Sequence, residues 1–370
     1  MFHSLRTDRA LEACQDAILG QQSWSDALQQ LAEAFGAITS AILAVPNSGE
    51  VCGFFEQPSN AMFAFQAAWQ EAYRGGVVDP HATIPLAMYH RHIPCLIDDD
   101  ILTADDRATM PYFRELARPQ DREHWADLTI RTPGRDWFVP FQRNARQGPF
   151  TRADAAELAL LVPVLTRILA RAERLAAANL TLRLDDLGGL HLAAWAIDAK
   201  GGVMFRNTAA DAVCGADLWL GSGRLRAADP GNNAKLAAFI NAAAQDPRGV
   251  EPVILLRDGV PWLLMDALAV TQRTMNVFTG AKAILLASPI VASAAPVGKI
   301  LADAFGLTRA EARFAQVLTD GGGLAHAAAT LGISRETART HLGALFDKAG
   351  VRGQVPLVAL LAQIAAVAKH

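Results

Sequence analysis

The chain has 370 residues, 51% of them hydrophobic, with 34 Lys and Arg against 37 Asp and Glu. That length exceeds one ordinary hydrophobic core, so two or three domains are expected. A net charge of −3 excludes a polycation that coats nucleic acid along its whole surface. The charge is uneven, however. From Pro296 to His370 eight Lys and Arg stand against five Asp and Glu, so this segment carries +3 and the remainder −6. A mildly basic module on an acidic body fits one local nucleic-acid contact. The first residues, with Arg6, Asp8, Arg9 and Glu12, lack the apolar run of a signal peptide. No apolar stretch approaches the ~20 residues of a membrane span. Cys14, Cys52, Cys95 and Cys214 show no CxxC or metal spacing and read as free thiols of a reducing compartment, so a cytoplasmic location is expected.

The first block, residues 1–150, alternates helical stretches (Thr7–Leu19, Ser25–Phe35, Ala61–Tyr73, Thr103–Leu116) with strand-like ones (Ala37–Val45, Val51–Phe55, Trp125–Ile130, Asp136–Arg143). Asn47-Ser48-Gly49 and Pro133-Gly134 mark turns between paired strands. Hairpins packed with helices indicate an α+β fold on an antiparallel sheet. A connecting helix follows over 151–186, capped by Thr151 with Asp154 in its first turn. Leu158, Leu161, Leu165, Ile168, Ala172 and Leu175 recur at spacings of three and four, an a/d stripe of about three heptads. Two readings stay open: a dimer helix, or a helix lying on its own domain with Pro163 as a kink.

The middle block, 187–290, reads as strand (His191–Ile197), turn (Asp198–Gly202), strand (Val203–Arg206), helices (Asn207–Val213, Ala234–Ala244) and strands again. Val253–Arg257 and Val260–Leu268 flank Asp258-Gly259, a two-residue hairpin signal, and Ala281–Ala287 closes the sheet. The Ala, Ser and Pro residues over 291–298 read as a linker.

The last block, 299–370, opens on a capping box in which Thr308 caps and Glu311 reaches back from the third helical position. Ala312, Ala315 and Leu318 mark the buried face of that helix, which ends at Gly321-Gly322-Gly323. A second helix, Leu324–Leu331, stops at Gly332, where a turn needs positive φ, and Ser334 caps a third that begins at Arg335. Ala328 is small where a crossing helix approaches, Ile333 fills the corner, and Ala338 and Leu342 face inward. Two helices joined by a short Gly-containing turn form the unit that lays its second helix in the DNA major groove. Arg335, Glu336, Arg339, Thr340 and Gly343 then face outward, with Arg335 and Arg339 one turn apart. The plainer alternative is a solvated face on an ordinary helical hairpin.

These residues carry a family likeness. Leu307-Thr308-x-x-Glu311, then Ile333-Ser334-x-x-Thr337-Ala338-Arg339-Thr340-His341-Leu342, then Phe346-x-Lys348-Ala349-Gly350-Val351 resemble the LuxR-type DNA-binding domain. The resemblance implies an all-α domain of four helices, the third reading bases and the fourth helping it dimerise. It places base-reading positions on Arg339, Thr340 and Gly343, and phosphate-contacting positions on Ser334, Thr337 and Lys348. Gly343 stands where a basic residue is common and Ala338 where Val is usual, so base contacts are fewer or shared with Arg335.

Upstream, Ile197-Asp198-x-x-Gly201 with Val203-x-Phe205-x-Asn207-x-Ala209-Ala210 resembles a PAS domain. Trp195, Trp219, Phe239 and Trp262 are candidate pocket residues there, against the plain alternative of core. In the first block Trp69-x-x-x-Tyr73 followed by Asp79-Pro80 resembles the autoinducer-binding domain of quorum-sensing LuxR-type regulators, a relative of GAF-like sensors. The gap from Tyr73 to Asp79 is short, the Trp expected beyond Asp-Pro is missing, and Ala117-Arg118-Pro119 replaces the usual Gly-rich continuation. The likeness implies a ligand pocket at Trp69, Tyr73 and Asp79. His81, His90, His92 and Cys95 lack zinc-site spacing, and no P-loop, Gly-x-Ser-x-Gly or dinucleotide fingerprint appears.

The expected protein is therefore a multidomain α+β chain: a GAF-like and a PAS-like sensor domain on antiparallel sheets, then the four-helix DNA-binding domain. Its expected role is a ligand-responsive, dimeric transcriptional regulator, not an enzyme, with no cofactor or metal. Its expected partners are double-stranded DNA, a small organic ligand, a second copy of itself and, if it activates, RNA polymerase, but no membrane. The alternative is a relay whose PAS-like block takes its signal from a partner protein.

Overall fold

The computed structural model describes residues 5–44, 57–78, 80, 93–270, 277–290, 297–319 and 323–367. It is mixed α and β, with a helical C-terminal region. Strand pairing is antiparallel between Thr39–Ala44 and both Gln57–Pro58 and Asp136–Arg143, and between His124–Arg131 and both Cys95–Ile97 and Asp136–Arg143. It is antiparallel also between Leu218–Gly221 and Arg224–Ala227, and between Val253–Arg257 and Val260–Ala269. The chain divides into two compact units. The first holds residues 1–183, 197–199 and 269–283, and the second holds the rest.

In the first unit, α1 (Leu5–Ile18) and α2 (Trp24–Ala34) precede β1 (Thr39–Ala44) and the two-residue β2 (Gln57–Pro58). Then come α3 (Asn60–Arg74), β3 (Cys95–Ile97), α4 (Ala104–Thr109), β4 (His124–Arg131) and β5 (Asp136–Arg143). The five strands lie in the order β2-β1-β5-β4-β3. Ser23, Ser59 and Thr103 cap α2, α3 and α4 through their side-chain oxygens, removing orphan amides at each helix start. Pro133-Gly134 makes the β4–β5 turn, closed by the Thr132 amide on the Arg135 carbonyl at 3.0 Å. The expected helix over Thr103–Leu116 is instead two pieces. Its first part ends at Met110, whose extended backbone precedes Pro111, and a π-type turn spans Phe113–Ala117. The expected strand Val51–Phe55 and the turn Asn47-Ser48-Gly49 lie outside the described residues.

The expected single connecting helix is also two. The α5 helix (Arg152–Ala159) starts with the Thr151–Asp154 capping box, and α6 runs over Val162–Gly189. Pro163 sits in the first turn of α6, where a missing N–H and a fixed φ cost least, so proline starts a new helix here and does not kink an old one. The a/d stripe is occupied within the unit as far as Ala172: Leu158, Leu161, Leu165, Ile168 and Ala172 are buried with Ile42, Ala126, Leu128, Ile130, Trp137 and Val139, and Leu175 beyond them is half-buried. Glu173 adds a polar anchor, accepting from the Trp137 indole at 2.9 Å and from the Thr132 hydroxyl. The stripe that reads as a dimer seam is the lid of its own sheet.

In the second unit, β6 (Ala193–Ile197) and β7 (Val203–Arg206) lead into α7 (Thr208–Val213) and a hairpin of β8 (Leu218–Gly221) and β9 (Arg224–Ala227). These are followed by α8 (Pro230–Gln245), β10 (Val253–Arg257), β11 (Val260–Ala269) and β12 (Ala283–Pro289). The large sheet has the order β10-β11-β12-β6-β7. Counted along each five-strand set, both sheets follow 2-1-5-4-3. The β8–β9 hairpin has no counterpart in the sequence expectations, because Leu218–Ala227 is short and its turn, Ser222-Gly223, gives a weak signal. Asn207 caps α7, and its amide also bonds the Leu184 and Leu192 carbonyls. Gly201 has φ +76°, and a Cβ there would lie 2.6 Å from Ile240 Cγ2, so both the turn and the close approach of α8 demand glycine.

The C-terminal region contains α9 (Val297–Phe305), α10 (Arg309–Thr319), α11 (Leu324–Leu331), α12 (Arg335–Ala349) and α13 (Gln354–Val367). These are five helices among the described residues, where the resemblance implies four. The additional one, α9, contributes Leu301 to a shared core with Leu307, Phe314, Leu318, Ala338, Leu345, Leu357 and Leu361. It begins at Val297, inside the stretch expected to be linker.

Candidate functional site

Two places concentrate polar side chains beyond what folding of the local segment needs: the exposed face of α12, and the second face of the first sheet.

Around α12 the local chemistry is read directly from short-range bonds. The Thr308 amide donates to the Glu311 carboxylate at 2.7 Å and the Glu311 amide to the Thr308 hydroxyl at 3.3 Å, completing the expected capping box. Gly332 closes α11 with φ +65°, and the Ile333 amide bonds the Ala328 carbonyl at 3.0 Å. Ser334 caps α12 by accepting from the Thr337 amide at 3.1 Å, with the two hydroxyls 2.9 Å apart. Ala327, Ala328 and Ala338 are buried where α11 and α12 cross, and Ile333 and Leu342 pack at the margin of the same core. This fixes which face of α12 is outward. Arg335, Glu336, Thr337, Arg339 and Thr340 are exposed. Arg339 lies 4.0 Å from Glu336, a solvent-screened pair, and the Thr340 hydroxyl bonds back to the Glu336 carbonyl at 3.1 Å. Gly343 has open space where a Cβ would stand, so packing does not require glycine there.

Lys348 is placed differently from the other residues of this set. Its ammonium donates to the Glu311 carboxylate at 2.7 Å and to the Gly306 carbonyl at 3.0 Å, joining the end of α12 to the start of α10. That hydrogen bond, with the Thr308 amide, holds the Glu311 carboxyl at about 2. Two of the three ammonium hydrogens are therefore spent inside the chain.

The first sheet has two unlike faces. Ile42, Cys95, Ile97, Ala126, Leu128, Ile130, Trp137, Val139 and Phe141 form a mainly apolar face under α1, α2, α5 and α6, with the buried Ser40 beside Phe141. The opposite face follows from the alternation of side chains along paired strands: Trp125, Asp127 and Thr129 on β4 stand opposite Gln142, Pro140 and Phe138 on β5. Ala41 of β1 lies under Met62, Phe65 and Trp69 of α3, with Tyr112, Phe113 and Leu116 alongside. This face buries polar groups. The Thr39 hydroxyl donates to Gln142 Oε1 at 3.3 Å, and Arg122 reaches the same oxygen at 3.4 Å and the Ala61 carbonyl at 2.7 Å. The Arg122 guanidinium lies 4.8 Å over the Phe65 ring, and burial brings its pKa down to about 10. The Thr129 hydroxyl is buried with no hydrogen-bond partner among the described residues. A depression of about 250 Å³ opens beside Thr129 and Arg131, walled by Ile93, Pro94, Val162 and Thr166.

Of the three residues expected to bind a ligand, Trp69 is buried in the α3 cluster and Tyr73, 52% exposed, stacks on it with ring centroids 5.3 Å apart and planes 8° from parallel. Asp79 lies outside the described residues, as do His81, His90 and His92. Among the described residues no three His, Cys, Asp or Glu side chains gather as a metal cluster. Sequence reasoning missed Thr39, Arg122, Thr129 and Gln142; a polar residue within an otherwise apolar strand was the only signal for Thr39, Thr129 and Gln142, and Arg122, in the segment before β4, had none. In the second unit Trp195 of β6 and Phe239 of α8 are buried and Trp219 of β8 is exposed. Trp262 is half-buried under the Arg257 guanidinium at 4.1 Å. Among the described residues no helix is long and apolar enough to cross a membrane.

No family model matches the chain and no curated protein matches it in sequence. Among solved structures it is similar to SdiA of Escherichia coli, 11% identical with a TM-score of 0.28, covering 98% of this chain and 97% of that one. SdiA in complex with octanoyl-rac-glycerol gives 12% identity and a TM-score of 0.29, over 100% and 99% of the two chains. The E. coli DhaR(N)–DhaL complex gives 16% and 0.25, over 77% and 88%. Scores this low carry no argument about this chain.

Proposed function

We propose that the chain is a ligand-responsive transcriptional regulator that lays α12 in the major groove of double-stranded DNA and senses a small organic molecule upstream. The observation that carries this reading is the α11–Gly332–α12 corner. A capped helix is crossed tightly over alanines, with Arg335, Thr337, Arg339 and Thr340 left exposed on its outer face. Arg339, Thr340 and Gly343, with Arg335, are the proposed base readers. Ser334 and Thr337 are proposed phosphate contacts at the helix start, where the amides and the helix dipole favour an anion. Lys348 keeps one hydrogen for a phosphate while tying down the helix that reads.

The first unit is the proposed sensor, GAF-like in its 2-1-5-4-3 strand order, and the second sheet, with the same order, is the proposed PAS-like relay. A ligand held between apolar walls needs a few placed polar groups. The second face of the first sheet supplies Thr39, Thr129 and Gln142 as groups of that kind, and Trp69, Tyr73 and Asp79 are the proposed ligand contacts.

The test has two arms. Selection from a random duplex pool, read by anisotropy across a salt series, is expected to return an enriched sequence and a negative slope of log affinity with log salt. No affinity at low salt for any duplex sinks the DNA reading. Native mass spectrometry of the purified chain is expected to show a bound small molecule. A mass equal to the bare chain, with no thermal shift by any of a metabolite panel, favours the relay instead.

A further inference from the structure

In the second unit one sheet face is unusually apolar and open. Along β11 the side chains alternate: Leu263 and Met265 are fully buried, while Val260, Trp262, Leu264, Asp266 and Leu268 point the other way. Ile254 of the edge strand β10 pairs directly with Leu264, and Ile290, whose amide bonds the Trp262 carbonyl at 2.8 Å, continues the row beyond β12. Ile254, Val260, Leu264, Leu268 and Ile290 are 38% to 64% exposed. With the half-buried Trp262 they leave on the order of 500 Å² of apolar surface per copy. A homodimer interface of about 800 Å² per partner, about 65% apolar, needs that much.

We propose that this face is where two copies of the chain meet, sheet on sheet, about a two-fold axis near Leu264. Charge supports a second copy over a different partner. Arg257 lies over Trp262 at one end of the row, and Asp266 interrupts it on the other side of Leu264. A two-fold axis at Leu264 that lies between the sheets and runs across β11 makes the facing strands antiparallel and sets residue 264+n of one copy against 264−n of the other. Each Leu268 then meets a Val260, and each Asp266 comes under the Arg257–Trp262 stack of the other copy. A lone carboxylate in an apolar row would be a fault against most partners, and here the face supplies a guanidinium, Arg257, whose Nε already holds Asp217 of its own chain at 2.7 Å and which would be shared with the second carboxylate. The competing seam, the stripe Leu158 to Ala172, is already filled by the first unit's sheet. The inference deepens the regulator reading, because a dimer presents two α12 helices to a two-fold operator.

The test is the oligomeric state of the full chain by sedimentation equilibrium, without DNA. Wild type is expected to be a dimer. Leu264→Lys is expected to raise its Kd about tenfold or more, while Leu160→Lys, an exposed leucine of the first unit, leaves it unchanged. Asp266→Lys, which sets a second cation against Arg257, should weaken the dimer more than the neutral Asp266→Asn does, and equal effects of the two would remove Arg257 from the interface. Because a lysine could disturb folding, Leu264→Cys provides a second reading, with a short bismaleimide expected to join two chains through that position. A monomeric wild type, a dimer indifferent to Leu264→Lys, or absence of the Leu264→Cys crosslink overturns the proposal. The two readings fail separately: a monomer that binds duplex DNA sinks the interface alone, and a dimer of this kind without DNA affinity sinks the DNA reading alone.

Discussion

Lys348 and Glu311, 37 positions apart, form a 2.7 Å charge-assisted hydrogen bond that ties the end of α12 to the first turn of α10. The bond leaves the Lys348 side chain partly exposed and Glu311 buried. It couples the position of the candidate reading helix to the capping box that starts the helical core. Lys348→Ala is therefore expected to destabilise the C-terminal region by about 1–2 kcal/mol, the range of a partly screened charged hydrogen bond. Thermal unfolding of a fragment starting near Ala294 reads this. If the melting temperature is unchanged while the salt slope of DNA binding falls by about one, Lys348 acts on phosphate alone.

The same pair sets a pH dependence. Glu311 ionises with a pKa of about 2 in the folded chain against 4.5 for a free carboxyl, held down by Lys348 and the Thr308 amide. A depressed folded pKa means stability that is complete above the unfolded value and lost as pH falls through the folded one. The C-terminal fragment should weaken progressively between about pH 5 and pH 2. Glu311→Gln should be less stable at neutral pH and flatter across that window. An equally steep loss in Glu311→Gln would assign the acid sensitivity elsewhere.

Arg339 is fully outside the core, so its loss should leave folding intact. Arg339→Ala is expected to cost about 1–3 kcal/mol at one operator position and to relax base preference there. Uniform weakening across all sequences, measured by competition binding, would make Arg339 a backbone contact.

Trp69 and Tyr73 separate packing from sensing, because they stack on each other but differ in burial. Trp69→Ala empties a core position and should cost about 3–5 kcal/mol. Tyr73→Ala removes a half-exposed ring and should cost about 1 kcal/mol or less. If a ligand binds there, Tyr73→Ala should abolish its thermal shift while the apo melting temperature barely moves. A ligand shift that survives Tyr73→Ala moves the site toward Thr129.

Gly201→Ala is expected to destabilise the second unit by about 1–3 kcal/mol, because the new Cβ meets Ile240 and φ is positive. Ile240→Ala should relieve part of that loss in the double variant. Strict additivity of the two changes would mean that the conformational cost alone decides.

What the sequence determined by itself is local. Ser334 and Thr337, Thr308 and Glu311, and Thr151 and Asp154 lie three positions apart, so a helix start and its cap can be read from one short window. Gly332 and Gly201 were legible for the same reason: positive φ at a turn selects glycine wherever the turn sits. The turn residues Pro133-Gly134 and Asp258-Gly259 likewise marked the hairpins of β4 with β5 and of β10 with β11. Tertiary structure decided the rest. An apolar stripe shows only that a helix must cover something, and the stripe from Leu158 to Ala172 could serve a partner chain or its own sheet until Trp137 and Glu173 fixed it. Arg122 and Gln142, or Lys348 and Glu311, meet across 20 and 37 residues through folded backbone that no local period encodes. Burial of a polar group is a property of everything around it. The sequence therefore announced the capped helix at Arg335, while only the fold showed which lysine steadies it and which face of the first sheet is polar.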